Sequence, residues 1–174
     1  MSNPVTEHLI AYHAYDADGE MYGVVDVELP TVTSMKKTIK GAGISGEVEV
    51  PLFGHTESLK VKINWRSLTP HAIKLSRPGA HLLEVRGALQ EQNASTGEYR
   101  VIPHKVVMRT MAHNIGLGKL AVGEDSDTNN ELEVSYLKIS QDGIETLEID
   151  KFNYIYKIAG TDYLKDVRVA LGRE

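Results

Sequence analysis

The stretch GAGISG, residues 41–46, spaces its glycines as G-x-G-x-x-G. In a dinucleotide-binding unit this spacing follows a strand and opens a helix, whose N-terminal N–H groups and dipole hold pyrophosphate. Here the next residues are EVEVP, with Val48 and Val50 alternating with Glu47 and Glu49 before Pro51. Alternation at period 2 marks a strand, not a helix. The two carboxylates at the loop exit would repel a phosphate. The acidic residue expected ~20 positions on is absent from the KINWRSL segment. The glycines therefore read as a turning loop.

The remaining motifs also fall short of chemistry. DSDTNN, residues 125–130, offers Asp125, Asp127 and Asn129 at alternate positions, as a calcium loop begins. Such a loop needs Gly at its sixth position and Glu at its twelfth, and these are Asn130 and Tyr136. The histidines at 8, 13, 55, 71, 81, 104 and 113 include no H-x-x-x-H or H-x-H pair, the spacings that favour zinc. No G-x-S-x-G elbow is present. With no cysteine in the chain, a disulfide, a thiolate metal site and a thiol nucleophile are excluded. Neither catalytic activity nor a cofactor or metal is expected.

What must position these residues is mostly strand. LKVKINWR places Leu59, Val61, Ile63 and Trp65 on one face and Lys60, Lys62, Asn64 and Arg66 on the other, the pattern of a half-buried antiparallel strand. Further strands are read in YGVVDVEL (22–29), TVTSMKKTI (31–39), LLEVRGALQ, YRVIPHKVVMRTM (99–111), ELEVSY, IETLEID and FNYIYKI. Gly87 marks a close approach or bulge, Pro103 an edge or bend, and the parity shift after Tyr136 a β-bulge. DADG, ASTG and SQDG are turns. One helix is predicted in GTDYLKDVRVALG, capped by Thr161 or Asp162 and ended by Gly172. A weaker helical signal lies in TPHAIKLS (69–76).

The chain has 174 residues and no linker or repeat, so one domain over residues 1–174 is expected. Its net charge of −5 argues against a grip on nucleic acid, which needs clustered cations. No secretion signal or membrane-spanning run is read, so a soluble, non-membrane protein is expected. A β-rich fold without chemistry has sheet edges to protect, and pairing between identical subunits in a ring removes them.

Three stretches together resemble the major tail tube proteins of contractile-tailed phages and related headless, bacteriocin-like particles. They are MYGVVDVELPTVTSMKKTIKGAGISGEVEVPLFG (21–54), LKVKINW (59–65), and GEDSDTNNELEVSYLKISQDGIETLEIDKFNYIYKIAGTDYLKDVRVALG (123–172). The resemblance implies a mainly β fold, an antiparallel β-sandwich or small barrel with one flanking C-terminal helix. It implies hexameric rings that stack into a tube inside a contractile sheath, as a conduit for DNA or for envelope puncture. The implied partners are further copies of the chain, the sheath protein, the tape-measure protein, and baseplate and terminator proteins. DNA would transit without specific binding, and the protein would reside in the virion tail after assembly in the host cytoplasm. Within that frame, Glu47 and Glu49 are expected to face the lumen or its rim, because an acidic wall keeps phosphates off it. Lys40, Gly41, Ala42, Gly43, Ile44, Ser45 and Gly46 are expected to form a ring-stacking loop that orders only against a neighbour. The alternatives are a tube protein of a secretion or headless injection machine and a small-ligand-binding β-barrel.

Overall fold

The computed structural model describes residues 4–23 and 25–173, with Thr6 and Glu7 described by their backbone alone. The strands are β1 (Pro4–Tyr15), β2 (Val25–Glu28), β3 (Ser34–Lys40), β4 (Glu47–Thr56), β5 (Lys60–Trp65), β6 (Ala80–Asn93), β7 (Tyr99–Gly116), β8 (Thr128–Gln141), β9 (Ile144–Asp150), β10 (Ile155–Ile158) and β11 (Thr161–Asp162). Two short helices join them, α1 (Pro70–Lys74) and α2 (Lys165–Ala170). Neither is long or apolar enough to cross a membrane.

Among the described residues the strands form one nine-stranded antiparallel sheet and a separate two-stranded hairpin, β3–β4. The large sheet runs β1-β6-β7-β8-β9-β10-β11, and β8 also carries β5, which carries β2. One edge of β8 lies along β7 over its full course. Its other edge takes β5 over residues 128–133 and β9 over residues 136–141. The sheet thus divides at β8, and the β5–β2 branch folds back over the inner face.

The core lies between the branches. Leu59, Val61, Ile63 and Trp65, assigned to one face from their alternation, are all buried against Leu83, Val85, Val106, Met108, Leu132 and Val134. The folded-back branch brings β2 to face β1 without a ladder between them. The Tyr12 hydroxyl spans this seam, donating to the Val25 carbonyl at 2.7 Å and accepting from the Val27 N–H at 3.3 Å. The sheet therefore curls without closing, which realises the sandwich form of the expected fold class.

Several local expectations hold for visible reasons. Gly87 is a point of close approach, where a Cβ would meet Leu9 Cδ1 at 2.8 Å. The parity shift in β8 is a bulge at Ser135: Arg109 faces Tyr136 while Thr110 faces Val134. Ser135 turns inward and donates its hydroxyl to the Arg109 carbonyl at 3.2 Å.

Other expectations are corrected. Of the two alternatives at Pro103 the bend is not found, since β7 is one continuous strand, and the edge is: Pro103 pairs with Ala88 of β6 but lies beyond the ladder between β7 and β8. A proline there removes no ladder bond on that side. The C-terminal helix is shorter than predicted. Thr161 and Asp162 pair with Ile158 and Lys157 as β11 instead of capping a helix, and α2 begins after Leu164. The weaker signal in TPHAIKLS is a true helix, α1, capped by the Thr69 hydroxyl on the Ala72 N–H at 3.3 Å. The fold thus has the flanking C-terminal helix and a second short one, α1, which realises the weaker signal.

A buried polar contact holds α1 to the sheet. Asn130, on the inner face of β8, accepts from the Trp65 indole N–H at 2.8 Å and donates to the Ala72 carbonyl at 3.1 Å. Every strong donor taken out of water needs such a partner. The Asn130→Ala substitution leaves the Trp65 N–H buried and unpaired, at a cost of about 1–3 kcal/mol. A lower urea midpoint with an unchanged denaturant slope is the expected outcome of equilibrium unfolding.

Candidate functional site

The motif residues take places that carry no reaction. GAGISG is the turn of the β3–β4 hairpin, and the chain continues from it into strand β4. Gly43 and Gly46 adopt φ of 95° and 112°, a region where a side chain is strained. Within the turn, the Ile44 N–H donates to the Gly41 carbonyl at 3.2 Å. In DSDTNN, Asp125 pairs with Arg66 at 3.1 Å, while Thr128 and Asn130 turn into the core. Among the described residues no cluster of three or more His, Asp or Glu side chains is disposed to hold a metal. The interior is filled by side chains, so the surface is what remains for function.

The β3–β4 hairpin dominates that surface. It makes a sheet of its own, and no side chain of β3 is buried. The register places Ile39 opposite Val48 and Lys37 opposite Val50 on one face. On the other face Lys40 is opposite Glu47 and Thr38 is opposite Glu49. The first face is apolar: Ile39, Val48, Val50 and Leu52 are 40–50% exposed. An isolated two-stranded ribbon is at best marginally stable in water. A contiguous apolar strip on such a ribbon marks an interaction surface.

Glu47 and Glu49 share the opposite, charged face. Each has a lysine beside it, with Lys40 Nζ 3.4 Å from Glu47 and Lys36 Nζ 3.1 Å from Glu49. Sequence reasoning did not pair them, although a hairpin closed at residues 41–46 dictates that lysines of β3 face glutamates of β4. The face is therefore charge-balanced, not a bare acidic stripe.

The base of the hairpin is fixed to the body. Phe53 makes an edge contact with Tyr163 at 6.3 Å between ring centroids. Gly54, at φ 66°, lies under Leu164, whose Cδ2 would be 2.4 Å from a Cβ at that position. Lys151 Nζ donates to the Glu57 carbonyl at 2.8 Å. The Leu164 side is in turn held by Asp162, which accepts from the Leu164 N–H at 3.1 Å and from Arg168 at 2.5 Å. The Arg168 hydrogen bond holds the Asp162 carboxyl below the ordinary carboxylate range.

The outer face of the large sheet is also charged, and most of its cations are paired with carboxylates. Glu84 lies between Arg86 and Lys105. Lys138 meets Glu145 at 2.5 Å, and Lys157 meets Glu148 at 2.7 Å. The Tyr136 hydroxyl donates to Glu148 at 3.0 Å, and burial with this bond to a carboxylate pushes the phenol up to about 12. Arg109 and Arg86 lie over the rings of Tyr136 and Tyr15. The paired charges form a lattice across β6–β10.

A filled core, charged faces whose cations are mostly paired and an exposed apolar ribbon define a structural protein that works by contact with other chains. The comparisons give the family. The phage tail tube protein FII family model matches residues 7–172. The chain is 29% identical over 148 residues to the tail tube protein of Escherichia phage P2, covering 84% of this chain and 85% of that protein. The chain belongs to the phage tail tube protein FII family. It is a structural subunit of the virion tail, not an enzyme, and it self-assembles into a tube in association with other tail proteins.

Two outcomes are expected at the hairpin base. Gly54→Val adds left-handed backbone strain, about 1–2 kcal/mol, and forces the hairpin off Leu164. Circular dichroism should show a folded monomer, and electron microscopy should show loss of tubes. For Asp162, whose folded pKa is depressed, the stabilisation is present above the ordinary carboxylate value and is lost as pH falls through the lower folded value. The wild-type melting temperature should therefore fall more steeply below about pH 4 than that of Asp162→Asn, as read by calorimetry across pH.

Proposed function

We propose that the chain, as one unit over residues 1–174, forms hexameric rings that stack through the β3–β4 hairpin. The observation that carries this reading is the hairpin itself: an anchored ribbon with one apolar face fully available to a neighbour. Residues 40–46 form its tip and are the ring-stacking loop. The long β1 edge, bonded along one side to β6, supports joining of neighbouring sheets around the ring, since an unpaired edge invites another strand.

In this reading the charged outer face of the large sheet lines the lumen, with Glu47 and Glu49 at its rim. DNA binds where unpaired cations displace its counterions. A wall on which most lysines and arginines are already paired with carboxylates, and Arg109 lies over the Tyr136 ring, offers little of that gain, so DNA passes without being held. The relative in a phage favours DNA passage over a headless or secretion machine. A contractile sheath outside, a tape-measure protein inside, and baseplate and terminator proteins at the ends complete the assembly, which forms in the host cytoplasm.

Two variants test the reading. Replacing residues 41–46 by a two-residue turn should leave a folded monomer and abolish stacking; normal tubes by electron microscopy would remove the hairpin from the interface. Glu47→Lys with Glu49→Lys leaves that face with four lysines. Phage carrying both changes should assemble tubes and eject DNA slowly. Ejection at the wild-type rate overturns the rim assignment.

A further inference from the structure

The loop between β7 and β8, residues 117–127, presents Leu120 and Val122 to solvent with both side chains fully exposed. Its base is rigid. Lys119 N–H donates to the Ser126 carbonyl at 2.7 Å, and Ser126 N–H donates to the Arg66 carbonyl at 3.0 Å. Gly118 is required there, because a Cβ would lie 1.8 Å from the Ser126 oxygen. The loop is thus a fixed apolar fingertip just beyond the end of β5. The hairpin leaves the body at the other end of β5, before Lys60, and lies against β10 and Leu164.

The molecule therefore carries two exposed apolar features at opposite ends of one strand. Their charges are complementary. The hairpin holds three lysines (36, 37 and 40) against two glutamates, whereas the loop holds one lysine against Glu124, Asp125 and Asp127. Lys37 on the apolar hairpin face and Asp127 in the loop have no ion pair among the described residues. Two different complementary patches on one chain make a heterologous contact, which propagates as a filament wherever its rotation does not close a ring.

We propose that the apolar face of the hairpin of one copy seats on the 117–127 loop of a copy in the adjacent ring, with Lys37 facing the acidic side of that loop. This rests on the hairpin's role in stacking and names the surface that receives it.

The cysteine-free chain makes the test direct. V48C/V122C protein is concentrated, oxidised and run on a non-reducing gel, with E49C/V122C as the control from the charged face. The expected result is a ladder of covalent oligomers from V48C/V122C and none from the control. Dimers alone, or no cross-link, overturn the proposal. L120D/V122D changes only exposed side chains, so its melting temperature should match the wild type while sedimentation shows no tubes. Wild-type tubes from L120D/V122D would overturn the pairing while leaving the hairpin reading in place, because that reading fails only if the chain shortened at 41–46 still stacks.

Discussion

A β-strand has two edges, and β8 divides one of them. Its first half bonds to β5 and its second half to β9, while β7 occupies the whole of its other edge. The bulge at Ser135 lies where the division occurs, and it lets both halves direct apolar residues inward despite the change of partner. Without that extra residue, every side chain after it would move to the opposite face. Leu137 and Ile139 would meet water and Lys138 the core. The division also marks the corner from which the hairpin emerges, since the hairpin directly precedes β5, whose first residue, Lys60, faces Glu133 beside the bulge.

The corner explains why the ribbon is both exposed and well placed. An isolated hairpin would fray, yet the Phe53, Gly54 and Lys151 contacts fix its base to β10, α2 and the end of β9. These contacts stop short of the tip, and among the described residues the apolar strip formed by Ile39, Val48 and Val50 stays 40–50% exposed. The core at Leu59, Ile63 and Leu132 holds the body, and the ribbon lies outside it, which leaves it open for the stacking proposed above.

Much of this was legible from period-2 alternation. LKVKINW announced its buried face, the shift after Tyr136 announced the bulge, and EVEVP ruled out a nucleotide loop. What escaped was non-local. Alternation cannot say that β5 and β9 share an edge of β8, because both patterns fit any flank. Helix propensity over GTDYLKDVRVALG competed with strand pairing, and pairing with β10 took Thr161 and Asp162. Glu47 and Glu49 were read as an acidic stripe because their lysine partners lie across the turn. The candidate site was visible as a glycine loop, whereas its anchor at Leu164, more than a hundred residues later, was not.

Charge pairing has a consequence for solubility as well as for passage. The lattice across β6–β10 is part of the fold, because its Glu84 and Glu148 side chains are mostly out of water beside their cations. It also fills a broad sheet face with polar groups that neither attract phosphate nor invite a second sheet. The net charge of −5 adds a weak mutual repulsion between monomers. Against that background the apolar ribbon is a localised attraction on a surface otherwise built to stay apart. In the proposed stacking such a contact fixes direction, because ribbon meets receiver and never ribbon, but it contains nothing that stops growth. The length of the resulting tube must then be set from outside this chain.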